Sequence, residues 1–308
     1  MQRAPYGLVT YLRSGVPRTG LLIDDGVTDL ADVTEQPSYA DMMLLLRRWR
    51  EARERIETAA SRGGSLDATP IGKVQLLAPL PLPRTIYCAG ANYADHVAEM
   101  ARVANIEAPP NPRLSGGHPW HFIKSSNTVT GPGHNIVLPT ASSKVDWEAE
   151  LAVVIGVQAK DVAVESALEV IAGYTIGNDL SARDLSRRNE YPVTSPFRYD
   201  WVSHKNFDGA CPLGPMLVPA WLIADPQDLA IELTINGAVK QSSNTSEMIF
   251  SIAEQISFLS KRITLWPGDV ILSGCPAGVG SARGEFLKGG DVVTITIRGM
   301  GALTNRMR

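Results

Sequence analysis

The sequence predicts a mixed α+β fold that is mostly β, with a small N-terminal α+β domain over residues 1–76 and a larger domain over residues 77–308. Short strand-like runs separated by Gly and Asp turns fill the first 35 residues. From residue 229 on, strand-like runs again alternate with turns. Between these two regions, three prolines within residues 77–84 mark a linker and therefore a domain boundary.

The individual elements follow from local pattern and composition. In the N-terminal domain we expect strands at residues 6–12, 19–23 and 27–30, followed by a helix over residues 39–60, a stretch rich in Leu, Arg and Glu. In the larger domain the most apolar run predicts a buried strand that ends at Gly156. Apolar residues then recur at helical spacing over residues 161–171, and a further helix is expected over residues 249–259.

Composition excludes several classes of protein. With 308 residues the chain can bury a large core, and its formal net charge of −3 argues against a nucleic-acid binder. No apolar run is long enough to span a membrane, and residues 1–5 lack the apolar core of a signal peptide. Three scattered cysteines, Cys88, Cys211 and Cys275, fit a reducing compartment. We therefore expect a soluble, cytoplasmic enzyme.

The most informative feature is the pair Glu148 and Glu150 at the start of the apolar run DWEAELAVVIG, residues 146–156. Side chains two apart on a strand point to the same face, so the two carboxylates project side by side. Buried like charges are costly, and a divalent cation such as Mg²⁺ compensates them while leaving coordination positions open. The alternative is an ordinary solvated strand face that happens to carry two acids.

A third acid, Asp179, follows the short strand-like run GYTIG at residues 173–177. A strand, a helical segment and a second strand could bring Asp179 beside the glutamates. Three carboxylates would fill about half of an octahedral Mg²⁺ shell, a pattern more typical of a catalytic than a structural site. From these residues alone, both the metal site and the solvated face stay open.

Upstream, residues 86–100 predict a strand, a glycine turn and the start of a helix. His96 and Glu99 are three residues apart, so they share one face of that helix and can interact. A carboxylate that holds an imidazole fixes its tautomer and raises its basicity, which suits a general base. A surface His–Glu pair on a solvated helix is the alternative.

A set of short motifs, in a fixed order over residues 82–305, resembles the fumarylacetoacetate hydrolase family, and in particular its acylpyruvase-like and fumarylpyruvate hydrolase-like members. The matching pieces are GANYADH at residues 90–96, FIK at 122–124, DWEAEL at 146–151, NDLSARD at 178–184, HKNFD at 204–208, ING at 235–237 followed by Gln241, and PGDVILSGCPAGVG at 267–280. Residues before about 75 match only loosely. The resemblance implies a fumarylacetoacetase-type β-sandwich roll as the core of the larger domain.

The resemblance also implies roles for individual residues. Metal ligation falls to Glu148, Glu150 and Asp179, with Mg²⁺ as the metal and Mn²⁺ or Ca²⁺ as alternatives. Catalysis falls to His96 and Glu99, which activate a water, and to Lys205, which stabilises developing negative charge. Substrate binding falls to Arg183, Lys124, Gly274 and Cys275.

The implied activity is metal-dependent hydrolysis of a carbon–carbon bond in an acylpyruvate or a related 2,4-diketo acid, a catabolic reaction. The alternative within the same superfamily is decarboxylation or tautomerisation of a keto acid, because these reactions share an enolate. An alternative of another class is a non-catalytic relative that only binds a ligand. The resemblance further implies a homodimer built by the larger domain.

Two positions depart from the family pattern. Cys275 stands where a Gly-Thr-Pro turn usually carries threonine, and Ser186 stands where glutamine is common. A thiol is a weaker hydrogen-bond donor than a hydroxyl, so these departures put the substrate in question. We expect residues 92–121 to form a lid, and residues 187–201, a long irregular segment, to help hold the distal end of the substrate.

Overall fold

The structure, a computed structural model, describes residues 4–63 and 68–308. Its strands are β1 (Tyr6–Arg13), β2 (Val16–Ile23), β3 (Gly26–Asp29), β4 (Thr69–Pro70), β5 (Gln75–Leu77), β6 (Ile86–Ala89), β7 (His121–Lys124), β8 (Val129–Thr130), β9 (Asn135–Ile136), β10 (Val145–Asp146), β11 (Ala149–Ile155), β12 (Ile171–Asn178), β13 (Ser181–Ala182), β14 (Cys211–Pro219), β15 (Ala230–Ile235), β16 (Ala238–Asn244), β17 (Val270–Leu272), β18 (Val292–Ile297) and β19 (Gly301–Met307).

The α-helices are α1 (Leu30–Thr34), α2 (Met42–Leu46), α3 (Trp49–Ser61), α4 (Ala94–Val103), α5 (Trp201–Lys205), α6 (Ile252–Arg262) and α7 (Gly280–Arg283). Short 3₁₀ turns cover Pro37–Ala40, Ile71–Lys73, Pro112–Ser115, Ser126–Thr128, Val164–Val170, Arg183–Leu185, Ala220–Leu222 and Thr245–Glu247. Within the described ranges, no helix is both long and apolar enough to cross a membrane.

The strands form two main sheets. The larger has the order β4-β3-β2-β1-β14-β12-β11-β17-β6-β7, with β5 paired to β1 and β8 to β14. The smaller has the order β16-β15-β18-β19-β9, and the short strands β10 and β13 pair with each other. The expectation of a mostly β, mixed α+β fold is confirmed.

Residues of β11 alternate between two hydrophobic layers. Leu151 and Val153 belong to the cluster that joins the larger sheet to β15, β18 and α6. Ala152 and Val154 belong to the opposite cluster, which includes side chains of α2 and α3. The larger sheet is therefore covered on both faces, which explains why β11 is apolar at every position after Glu150.

The N-terminal strands extend the larger sheet. Strand β1 pairs antiparallel with β14 through Leu8 and Leu217, so residues on both sides of the expected boundary at residue 76 share one sheet. The expected strands near residues 6, 19 and 27 are present. The expected helix over residues 39–60 is divided into α2 and α3, which are separated at Arg47 and Arg48.

The buried side chain of Asn92 joins three parts of the larger domain. Its Nδ2 donates to the carbonyls of Phe250 (3.0 Å) and Ser273 (2.8 Å), and its Oδ1 accepts from the Phe250 N–H at 2.9 Å. These bonds connect the turn after β6 with the segment before α6 and the end of β17. They hold in place the loop after β17, which belongs to the site described below.

We predict that Asn92→Ala lowers the free energy of unfolding by about 2–4 kcal/mol. The buried Phe250 N–H loses its partner, at about 1–3 kcal/mol, and the Phe250 and Ser273 carbonyls each lose one hydrogen bond, keeping those from Gln255. Denaturant unfolding followed by circular dichroism measures this change. Asn127→Ala is the matched control, since that amide is exposed. Equal stabilities for the two variants would contradict the role assigned to Asn92.

Candidate active site

Glu148 directly precedes β11 and Glu150 is its second residue, so the two glutamates share a face with Ala152. Both are buried, with Glu148 exposed by 6% and Glu150 by 1%. The Glu148 N–H donates to the side chain of Asn178 on neighbouring β12 at 3.1 Å. The solvated strand face, which the sequence left open, is therefore excluded.

Asp179 directly follows β12 and is also buried. Its backbone N–H donates to the Glu148 carbonyl at 2.9 Å, which continues the pairing of β11 and β12 by one residue. The Lys205 Nζ, at the end of α5, donates to Glu148 Oε2 at 2.8 Å and to Asp179 Oδ2 at 2.6 Å. Lys205 thus bridges two of the three acids in the predicted metal site.

Two further basic side chains, Lys124 and Arg183, form ion pairs with the buried carboxylates. Lys124 on β7 is buried and donates from Nζ to Asp179 Oδ1 at 2.6 Å and to the Leu180 carbonyl at 3.0 Å. Arg183 donates from Nε to Asp146 Oδ2 at 2.8 Å and from Nη2 to Glu148 Oε1. The structure therefore places Lys124 and Arg183 against the carboxylates.

These ion pairs shift the pKa values in opposite directions. Burial by itself raises the pKa of Glu148, but Lys205 and Arg183 outweigh it and lower that pKa to about 2. Burial also raises the pKa of Glu150, and the negative charges of Asp179 and Glu148 raise it further, well above its ordinary value. Among the described residues, Glu150 has no cation in an ion pair with it. Its Oε2 accepts the Gly274 N–H at 2.6 Å.

The turn after β17 approaches these acids closely because it contains Gly274. Its φ of +101° is unfavourable for other residues, and an added Cβ would lie 2.8 Å from the Asn92 Cβ. The next residue, Cys275, is buried, and its thiol pKa is raised well above its ordinary value by burial and by Glu148 and Glu150. One oxygen of each glutamate and the Cys275 Sγ lie within 4.8 Å of one another.

This arrangement fits a divalent cation. Glu148 and Glu150 offer buried carboxylate oxygens, the ligands that hard cations prefer, and Glu150 lacks a positive partner. Asp179 is the remaining member of the predicted set, and each of its carboxylate oxygens accepts a hydrogen bond from a lysine. The sequence did not predict that the thiol of Cys275 would lie beside the two glutamate oxygens.

Helix α4 carries the predicted dyad and docks on the same turn. The Glu99 Oε2 accepts the Gly278 N–H at 2.8 Å, and Asp95 accepts the Ala277 N–H at 3.3 Å. The His96 Nδ1 lies 3.9 Å from Glu99 Oε2, which is ion-pair distance but too long for a hydrogen bond. Burial alone raises the pKa of Glu99, but His96 and the Gly278 N–H lower it below its usual range.

Sequence reasoning missed the role of Asp146. This fully buried carboxylate accepts from Arg183 and from the backbone N–H groups of Gly280 (2.6 Å) and Ser281 (3.0 Å). It therefore fixes the guanidinium that contacts Glu148. The sequence did contain a sign of this role, because an acid directly before Trp147 in an otherwise buried strand needs a partner.

A cavity of about 600 Å³ opens beside Arg183. Its lining includes Ser186, Arg187 from the irregular segment, Trp120 from the expected lid, and Trp201 and His204 from α5. The expectation that residues 187–201 lie near the site therefore matches their position in the structure. Motion of residues 92–121 as a lid stays a prediction.

The chain is similar to proteins of known family. Residues 85–308 match the family model described as fumarylacetoacetate (FAA) hydrolase C-terminal. Oxaloacetate tautomerase Fahd2a, mitochondrial, from Rattus norvegicus is 38% identical over 300 residues, covering 94% of this chain and 87% of the rat protein.

Two solved structures are similar over nearly the whole chain. A fumarylacetoacetate hydrolase from Exiguobacterium antarcticum has a TM-score of 0.78 and 30% identity, covering 98% of this chain and 99% of its own. Maleylpyruvate hydrolase from Sphingobium sp. SYK-6, in complex with manganese(II) and pyruvate, has a TM-score of 0.74 and 27% identity, covering 98% of each chain.

We predict that Glu150→Gln separates metal binding from folding. Because Glu150 lacks a cationic partner, the variant should be as stable as the parent in the presence of a chelator. Saturating Mg²⁺ or Mn²⁺ at about 100 times Kd should stabilise the parent by about 2.7 kcal/mol, and should not stabilise the variant. Thermal unfolding with and without metal measures both effects.

Glu148→Gln is the matched comparison for this experiment. It deprives Lys205 and Arg183 of a buried partner, so it should cost about 3–5 kcal/mol even in the presence of a chelator. A Glu150→Gln protein that keeps the full metal-induced stabilisation would show that the cation binds elsewhere.

Proposed function

The chain belongs to the fumarylacetoacetate hydrolase family, and we propose that it catalyses keto–enol tautomerisation of oxaloacetate or a closely related 2-oxo acid, with a bound divalent cation. The observation that carries this proposal is the buried cluster of Glu148, Glu150 and Asp179 with Lys205. The similarity to the rat oxaloacetate tautomerase over 94% of this chain supports it. Mg²⁺ is the proposed metal, with Mn²⁺ and Ca²⁺ as alternatives.

Glu148 and Glu150 would hold the cation, together with Asp179. A divalent cation bound there supplies Lewis-acid chemistry, drawing electron density from a 2-oxo group. The reaction moves one proton from C3 of the acid and adds one to the 2-oxo oxygen. No bond between heavier atoms breaks, so the protein must stabilise an enolate and move protons.

Lys205 is the residue we assign to the developing negative charge. Two of its three N–H groups are used by Glu148 and Asp179, which leaves one donor. The two carboxylates raise the pKa of Lys205 against the effect of burial, so its ammonium stays charged. A fixed positive charge in a buried site stabilises an oxyanion without reorganisation.

His96 is the residue we assign to proton transfer at C3. It lies on α4, which docks on the turn that carries Gly274 and Cys275, and Glu99 is positioned to orient its imidazole. The present Nδ1–Oε2 separation of 3.9 Å would shorten on closure of α4 over a substrate, since catalytic hydrogen bonds often tighten only in the complex.

Hydrolysis of an acylpyruvate, the reaction first expected from the sequence, is the second candidate. The His96–Glu99 pair favours it, since the same imidazole could activate a water instead of a carbon acid. The similarity to maleylpyruvate hydrolase also supports it. Tautomerisation is preferred because the rat relative is the more similar in sequence.

Assembly and location stay predictions. The homodimer implied by the resemblance should appear in sedimentation velocity at micromolar concentration. A cytoplasmic location is kept as a proposal for this chain, although the name of the rat relative places that protein in mitochondria.

The deciding experiment follows enol-oxaloacetate by its ultraviolet absorbance and, in parallel, pyruvate release from acetylpyruvate. We expect metal-loaded protein to accelerate loss of the enol, chelated protein to lose this activity, and added Mg²⁺ or Mn²⁺ to restore it. Pyruvate release from acetylpyruvate without any effect on enol-oxaloacetate would instead establish the hydrolase.

We further predict that His96→Ala lowers kcat for tautomerisation by about 10²–10⁴-fold, the usual contribution of general acid–base catalysis. The metal affinity, measured by titration calorimetry, should stay within about twofold, because His96 is not among the proposed ligands. His134→Ala is the control, since His134 lies in the turn after β8, outside the proposed machinery. A kcat within threefold of the parent for His96→Ala would remove His96 from the mechanism.

A further inference from the structure

The cavity beside Arg183 is much larger than a four-carbon diacid requires. Its volume of about 600 Å³ falls in the range of pockets that hold drug-sized ligands, roughly 300–1,000 Å³. It also adjoins the charged site directly, because Arg183 both lines the cavity and contacts Glu148. Space therefore remains for a large group attached to the distal end of a 2-oxo acid.

The aromatic rings of Trp120 and Trp201 line this cavity. The indole of Trp201 stacks on Phe122 with centroids 5.2 Å apart, and meets Trp120 edge-on at 5.9 Å. Gly90 makes room for Trp120, since an added Cβ there would lie 1.9 Å from its ring. Phe122 in turn lies 4.9 Å from the Lys205 Nζ, so the aromatic cluster runs up to the charged site.

Tyr199 and Arg187 also line the cavity. The Arg187 guanidinium lies 5.9 Å from the centre of the Tyr199 ring, and the described residues include no carboxylate in an ion pair with it. Arg187 and Tyr199 are exposed, as are Trp120 and Trp201, whose exposures are 46% and 44%. Exposed aromatic faces beside a free guanidinium favour a flat ring as the group that fills the cavity.

His204 provides an independent sign of a ligand. Its side chain lines the cavity, the residue is only 7% exposed, and its Nε2 is buried without a hydrogen-bond partner among the described residues. Burial, with Lys205 and Arg183 nearby, lowers the pKa of His204 to about 3, so the ring is neutral at neutral pH. A buried polar atom without a partner is costly, and a ligand removes the cost when one of its oxygens, or more weakly the face of its aromatic ring, accepts a hydrogen bond from that atom.

We infer that the cavity is the binding site for an aromatic side chain, and that the protein tautomerises arylpyruvates such as phenylpyruvate in addition to oxaloacetate. This inference rests on the proposed function, because it assigns the same proton transfer to a larger substrate. The reaction balances as before: a proton leaves C3, a proton joins the 2-oxo oxygen, and nothing is oxidised or reduced.

Ser186 gives a direct way to fill the cavity. It lies on the lining, and among the described residues its hydroxyl donates one hydrogen bond, to the Arg183 carbonyl at 2.7 Å. Ser186→Gln would extend a longer side chain from the same position. Trp201→Ala instead removes part of the aromatic lining. Trp266→Ala is the matched control, because that indole is similarly exposed but lies beside Arg84, outside the cavity.

The first measurement compares two inert probes by titration calorimetry on metal-loaded protein. Oxamate and N-phenyloxamate share a 2-oxo acid end and differ by the phenyl ring. We expect N-phenyloxamate to bind about 10–100-fold more tightly, the range typical of a group that fills an apolar pocket. Ser186→Gln and Trp201→Ala should each reduce this ratio by about tenfold, whereas Trp266→Ala should not change it.

The second measurement compares the tautomerisation of enol-phenylpyruvate and enol-oxaloacetate. We expect both to be accelerated, and the ratio of their kcat/KM values to fall about tenfold in Ser186→Gln and in Trp201→Ala. Acceleration of oxaloacetate alone, with equal affinities for the two probes, would overturn the inference and leave the proposed function intact. If neither enol is accelerated, the proposed function fails, and equal probe affinities would then overturn the aromatic site as well.

Discussion

The site depends on one buried interaction, the bridge that the Lys205 ammonium makes between Glu148 and Asp179. Each of these groups would be costly to bury alone, because an unpaired charge in a protein interior costs several kcal/mol. Buried ion pairs seldom stabilise a fold relative to apolar residues of similar size. Their burial here therefore indicates a functional reason, namely a fixed charge pattern that water does not screen.

The scaffold explains how such a pattern is held. Strand pairing of β11 with β12 sets Glu148 beside Asp179, and the turn after β17 brings the Gly274 N–H to Glu150. Further N–H groups of the following loop hold Glu99 and Asp146. The loop after β17 thus orients Glu150, Glu99 and Asp146. A change in the position of this loop would therefore affect all three carboxylates together.

Much of the carboxylate cluster could be predicted from the sequence, because the alternation of side chains along a strand depends only on neighbouring residues. Glu148 and Glu150 are two residues apart on an apolar strand, and their shared burial follows from that spacing. The partner of Lys124 could not be predicted in this way, since Asp179 follows β12, which is not adjacent to β7 in the sheet. The approach of Cys275 to the glutamates likewise depends on the turn after β17, whose conformation a sequence pattern does not specify.

For the cavity beside Arg183, the sequence predicted only that residues 187–201 lie near the site, and not the aromatic lining. Its aromatic lining comes from Trp120, directly before β7, and from Tyr199 and Trp201 at the start of α5, which are far from Trp120 in the chain and meet it only in the folded protein. This separation has a physical consequence. The cluster of Glu148, Asp179 and Lys205 is built on paired strands and held by ion pairs. The exposed rings of Trp120 and Tyr199 are held mainly by contacts with Trp201 and Arg187. Substitutions in the cavity should therefore change which distal group binds, while the geometry that we propose stabilises an enolate stays in place.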